Sequence, residues 1–149
     1  MTPKDFIAAI GPAAHASMQT TKIPASVTIA QAALESSWGA RCPGFNLFGI
    51  KATPDWTGAT TMQPTGEVVN GKSIKIKAKF RAYPDWLGSI NDHAQFLLKN
   101  KRYLPAFTYT DDGEAFARAV AAAGYATDPD YAAKLVSIIR AHNLATFDK

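Results

Sequence analysis

GEVVNGKSIKIKAKFRAY, residues 66–83, decides the fold class. Ile74, Ile76, Ala78, Phe80 and Ala82 alternate with Lys75, Lys77, Lys79 and Arg81, and a period of two is the mark of a strand with one apolar and one basic face. Asn70-Gly71 precedes it, the favoured pair for a type I′ turn because both central residues take positive φ, so a hairpin is predicted over 66–80. A two-residue loop fixes the register: Val69 opposite Lys72 and Glu67 opposite Ile74, which sets Glu67 on the apolar row. Gly66 to Ser73 also satisfies the phosphate-loop expression G-x-x-x-x-G-K-[ST]. That loop must open a helix whose amides hold phosphate, whereas a strand follows here, so nucleotide binding is rejected.

Outward from the hairpin the pattern turns helical. Residues 1 to 22 read as a helical entry, with Phe6, Ile10, Ala13 and Ala14 at helical spacing and a break or restart expected at Gly11-Pro12. Pro24 opens a second helix whose stripe is Val27, Ala30, Leu34 and Trp38, with Gly39 as the stop. Residues 40 to 66 have no sustained period and read as loop with short extended pieces. Three further helices are predicted: 86 to 99; 112 to 123, opened by Asp111 and closed by Gly124; and 129 to 142, opened by Asp128, with Tyr131, Leu135, Ile138 and His142 inward. The sum is a mostly helical α+β fold, one domain over 1–149 with a small β lobe at about 57–83.

Of the 149 residues, 47% are hydrophobic and 19% charged, enough apolar material for a core without metal or disulfide staples. Cys42, the one cysteine, excludes an intramolecular disulfide and a cysteine-built zinc site. His15, His93 and His142 are isolated, read as surface or core-edge residues, and no cofactor or metal is called for. No G-x-S-x-G marks a serine hydrolase. No run of 18 apolar residues predicts a membrane span, and the N-terminus lacks a standard secretory signal. The net charge of +4 favours polyanionic partners, but the basic row is not interleaved with exposed aromatics, so nucleic acid is not the expected one.

Two carboxylates remain. Thr28, Gln31 and Glu35 fall at i, i+3 and i+7, a polar line beside the apolar stripe that brings Glu35 to the border of the core. Near the helix C-terminus the dipole disfavours a negative charge, but a term of ~0.3–1 kcal/mol moves a pKa by less than one unit. Desolvation must supply the rest, with Trp38, Phe45 and Phe48 as candidate apolar walls. Glu67 on the hairpin is the second: either the apolar face borders a cleft, or the hairpin twists enough to wet the side chain. Two carboxylates facing each other across a cleft are the equipment of glycoside hydrolysis, one protonating the leaving oxygen, the other assisting attack at the anomeric carbon.

Gln31–Ala52 contains QAALESSWG (31–39) and NLFGIKA (46–52); KAKFR (77–81) and AGYATDP (123–129) follow, and together these blocks resemble glycoside hydrolase family 73, bacterial peptidoglycan N-acetylglucosaminidases. The resemblance implies a lysozyme-like helical domain with a β-hairpin lobe and a groove between them. It implies cleavage of the β-1,4 bond between N-acetylglucosamine and N-acetylmuramic acid, with Glu35 as catalytic acid, Glu67 as second acidic residue and Tyr125 near the cleaved sugar. Trp38, Asn46, Phe48, Gly49 and Asp92 are the expected substrate-binding residues, although His93 stands after Asp92 where relatives often carry an aromatic. Trp56 and Trp86 are open between stacking on sugar and packing in the core. Bacterial peptidoglycan is the implied partner, with anionic envelope polymers a further one through the basic strand face, no stable membrane insertion, and a monomer expected. Without a visible signal or wall-binding repeat, the expectation is a phage endolysin or virion-associated enzyme, made in the cytoplasm and acting in the periplasm or cell wall, with a domain excised from a longer protein as the alternative. A lytic transglycosylase using Glu35 alone, and a silent glycan-binding module, are the rivals.

Overall fold

The hairpin forms with the register the turn dictates. In the computed structural model, which describes residues 1–149, β1 (Thr60–Val69) pairs antiparallel with β2 (Lys72–Arg81), Val69 opposite Lys72 and Glu67 opposite Ile74, around Asn70 and Gly71 at φ 52° and 76°. The strand period is right, but the expectation of one buried face holds only at the base. Ile74 and Ile76 remain 40% and 41% exposed, whereas Ala78 and Phe80 are half-buried. A two-stranded ribbon has no second layer of its own, so only the end resting on the helical body is covered. β1 also begins earlier than expected, within the stretch read as loop.

The helical body is built around α2 (Ala25–Ser36), whose residues from Ala25 through Ala33 are all buried, so it is a central helix and not a one-sided one. α1 (Pro3–Thr21), α4 (Gly113–Ala122), α5 (Tyr131–Ala141) and the 3-10 segment Leu144–Asp148 pack around it. The expected break at Gly11-Pro12 does not occur: α1 runs through Pro12. A mid-helix proline costs about 3 kcal/mol. Full burial of Phe6 and Ile10, at ~1.5–3 kcal/mol each, offsets this, and Gly11 lies tight on the Phe147 ring, where an added Cβ would stand 2.5 Å from Cε1.

α3 (Trp86–Lys99) matches its predicted bounds, capped by Asp85, whose carboxylate accepts from the Gly88 amide at 2.8 Å. α4 is capped by Asp112 in place of Asp111. In α5 the inward residues are Tyr131, Leu135, Val136 and Ile139; Ile138 and His142 are only half-buried, because packing against both α2 and α4 rotates the stripe by one position. A nine-residue 3-10 segment, Lys101–Tyr109, links α3 to α4 without a sequence period to announce it.

Candidate active site

Glu35 is the penultimate residue of α2, and beyond it the chain turns sharply: Ser37, Trp38 and Gly39 all take positive φ, at 51°, 57° and 84°. Ser36 secures the turn, its hydroxyl donating to the Ala32 carbonyl at 2.6 Å and accepting from the Gly39 amide at 2.9 Å. The reversal releases Glu35 at the meeting of two clefts. One, of about 780 Å³, is lined by Glu35 with Arg41, Cys42, Pro43, Asn46, Gly49 and, from the hairpin, Gln63, Pro64 and Phe80. The other, of about 330 Å³, is lined by Glu35 with Phe48, Gly49, Ile50, Lys51, Thr53, Arg81, Phe96, Tyr125 and Ala126. Glu35 and Gly49 belong to both, so the two form one groove with the acid at its waist.

Glu35 is exposed as a residue, yet the groove walls desolvate its carboxyl and raise its pKa above the ordinary 4.5, while the Tyr131 hydroxyl acts in the opposite sense as a hydrogen-bonding neighbour. Desolvation is the larger effect, so the acid is biased towards its protonated form. Its walls differ from those expected. Trp38 packs edge-on against Phe6 at 5.8 Å and against His142 at 4.8 Å, and Phe45 packs edge-on against Trp86 at 6.3 Å; neither lines the two clefts. Phe48 does, 3% exposed and stacked on His93 at 3.8 Å with the planes 13° apart. Tyr125 lines the same cleft, stacked on Tyr131 at 5.7 Å and 7°.

Asn46 holds the floor. Its side-chain amide donates to the Ile50 and Arg81 carbonyls, both at 2.9 Å, and its oxygen accepts from the Ile50 and Phe48 amides at 3.2 and 3.4 Å. These bonds curl 46–50 around Gly49, whose φ of 63° suits glycine and whose missing Cβ leaves open space in the groove. They also tie the floor to the hairpin, where Arg81 and Ala52 amides pair with the Ile50 and Lys79 carbonyls at 3.0 and 2.9 Å.

Glu67 projects from the half-buried face of the hairpin and accepts from Lys51 Nζ at 2.9 Å; it lines neither cleft. Asp92 lines neither of these two clefts but a third, of about 410 Å³, which shares Thr53, Arg81 and Phe96 with the smaller one. There it accepts from Arg81 at 3.0 Å and from the Tyr83 hydroxyl at 2.6 Å. Trp56 is half-buried, with the Arg81 guanidinium 4.7 Å from its ring centre, and Trp86 packs on Phe6.

Sequence reasoning missed two residues. Tyr131, read as core, reaches Glu35; His93, read as surface or core-edge, is wholly buried. The available signal was the line Thr28, Gln31, Glu35: Thr28 and Gln31 are buried, and Gln31 bonds to both Tyr131 and His93.

A helical body with an acid at the waist of an open groove, overhung by a β-hairpin, defines a lysozyme-like glycoside hydrolase domain. The chain belongs to the glucosaminidase family, glycoside hydrolase family 73: residues 11–144 match the family described as mannosyl-glycoprotein endo-beta-N-acetylglucosaminidase. It is 42% identical over 144 residues to the peptidoglycan hydrolase FlgJ of Salmonella typhimurium, covering 92% of this chain and 45% of that protein, so the chain spans a little under half the length of this relative. Among solved structures, it matches a peptidoglycan hydrolase mutant from Sphingomonas sp. A1 with a TM-score of 0.82 and 38% identity, over 96% of both chains. The catalytic domain of the autolysin Auto from Listeria monocytogenes matches with a TM-score of 0.85 and 31% identity, over 98% of this chain and 87% of that one.

Proposed function

We propose that this chain hydrolyses the β-1,4 bond between N-acetylglucosamine and N-acetylmuramic acid in peptidoglycan, in the periplasm or cell wall, with Glu35 protonating the leaving oxygen. The observation that carries this is the position of Glu35 at the waist of a continuous groove, its carboxyl pushed towards the protonated form by burial. Groove on both sides of the acid supports cleavage within a glycan strand.

Glu35 lines both clefts and Glu67 neither, which supports a first step in which the substrate's own acetamide attacks the anomeric carbon as Glu35 delivers its proton. Glu67, held by Lys51, is then the second carboxylate that positions the sugar from the hairpin. Glu67→Gln is expected to reduce turnover less than Glu35→Gln; equal losses would assign Glu67 to water activation or nucleophilic attack. Gly49 and Tyr125 form the sugar-facing surface, with Phe48 packed beneath them on His93. The outward row of Lys75, Lys77 and Lys79 is a contact for anionic envelope polymers, one that weakens with salt.

A zymogram on cell walls with wild type and Glu35→Gln tests the reading, clearing being expected only for wild type. Reducing-end analysis of the digest should show new N-acetylglucosamine ends. New N-acetylmuramic acid ends would overturn the bond assignment, and products lighter by one water would indicate a lytic transglycosylase.

A further inference from the structure

Behind Glu35 runs a line of buried polar groups that sugar binding does not use. His93 Nε2 lies 2.8 Å from Gln31 Oε1, Gln31 Nε2 lies 3.0 Å from the Tyr131 hydroxyl, and that hydroxyl stands beside the Glu35 carboxyl. Gln31 and His93 are 0% exposed and Tyr131 3%. The last link is the loose one, lying outside the closed geometry of the two behind it.

The chemistry of the donors gives this line a direction. A carbonyl oxygen only accepts and an amide nitrogen only donates, so with Gln31 as found, His93 donates from Nε2 and Tyr131 accepts from Gln31. The Tyr131 proton is then free for Glu35. The reverse orientation of Gln31 would require His93 to accept at Nε2 and carry its proton on Nδ1, which has no partner. A buried, unpaired N–H is the less favourable arrangement. Burial holds the His93 pKa down to about 3, so the ring is neutral and has one donor to give.

We propose that His93 and Gln31 are positioning residues that aim the Tyr131 hydroxyl proton at Glu35. This rests on Glu35 being the catalytic acid, although the arrangement is measurable without turnover. The Tyr131 proton stabilises the Glu35 carboxylate and so limits how far desolvation raises the acid, keeping it able to release its proton as the glycosidic bond breaks. Once the line is cut, the Tyr131 hydroxyl turns and accepts from protonated Glu35, and the acid weakens.

The other titratable groups lining the two clefts are Arg41 and Cys42 on one side and Lys51, Arg81 and Tyr125 on the other. None is altered by the substitutions below. The experiment follows the Glu35 carboxyl by carbon-13 NMR titration, with the pH profile of kcat/KM alongside. Gln31→Met and His93→Phe should each raise the Glu35 midpoint and carry the alkaline limb of the profile with it. His93→Gln, which can replace the Nε2 donor, should restore the wild-type midpoint; His93→Asn, which imitates Nδ1, should not. An unshifted midpoint in both Gln31→Met and His93→Phe, or no difference between His93→Gln and His93→Asn, would overturn the proposal. Nitrogen-15 shifts of wild-type His93 give a test that no unfolded variant can obscure: the Nε2–H tautomer is expected, and Nδ1–H overturns the line. Failure of Glu35→Gln to abolish cleavage would instead sink the functional reading while leaving these midpoints and the tautomer intact.

Discussion

Arg81, the last residue of β2, donates to Asp92 of α3 at 3.0 Å, and the Tyr83 hydroxyl meets the same carboxylate at 2.6 Å. The Arg81 and Asp92 side chains are 14% and 19% exposed, so this pair is far less screened by solvent than the Lys51–Glu67 pair at the other end of the hairpin. Asp92 thereby fastens the base of the hairpin to the helical body. Asp92→Ala removes the carboxylate from a largely buried guanidinium, which keeps only the neutral Lys51 carbonyl and Thr53 hydroxyl as acceptors, and leaves the Tyr83 phenol without its acceptor. It is expected to lower stability by about 2 kcal/mol, or a Tm roughly 4–8 °C lower. Thermal unfolding followed by circular dichroism checks this; an unchanged Tm would remove Asp92 from that role.

Glu35 is expected to destabilise the folded chain at neutral pH. The folded chain holds the Glu35 proton more tightly than the unfolded chain, so between the ordinary value of 4.5 and the raised folded value rising pH favours unfolding. Glu35→Gln removes this effect. It is expected to be more stable than wild type above that window, with the pH-dependent part of the difference vanishing below 4.5. Urea unfolding at a series of pH values reads the crossover, and parallel curves for the two proteins would contradict it.

Gly49 separates groove shape from folding. Asparagine tolerates positive φ better than other side chains, and an added Cβ here meets nothing within 4 Å. Gly49→Asn should therefore change stability by less than about 1 kcal/mol. Its side chain would nevertheless project into both clefts, and a fall of at least about tenfold in kcat/KM on cell-wall substrate is expected. Full activity in a folded Gly49→Asn protein would show that glycan does not cross this point.

Cys42 offers a probe of the larger cleft. Burial pushes its thiol up to about 11, against an opposing hydrogen bond from Trp86. Iodoacetamide should label it at pH 7 roughly a hundredfold more slowly than an ordinary thiol of pKa 9.0, with the rate rising about tenfold per pH unit. Loss of activity should track labelling, since Cys42 and Glu35 line one cleft. Fast labelling at neutral pH would contradict the burial.

Local sequence carried the elements further than it carried their surroundings. The Asn70-Gly71 turn and the alternation after it determined the hairpin, its register and the face on which Glu67 lies, because a two-residue turn admits one pairing. Helical spacing likewise found all five helices, and the four sequence blocks identified the family. The continuity of α1 through Pro12 was not legible, since it depends on Phe147, at the far end of the chain, packing over Gly11. Nor was the depth of His93: an isolated histidine with an aspartate before it has no local pattern that marks it as core.

What the sequence alone determined is which carboxylate is available, on which helix end, and opposite which hairpin. Tertiary structure decided the chemistry of that carboxylate. Gln31 lies 62 residues from His93 and 100 from Tyr131, and no periodicity spans such separations. The pKa of Glu35 is set by the walls and hydroxyl that folding brings to it, because desolvation and hydrogen bonding act through space and not along the chain.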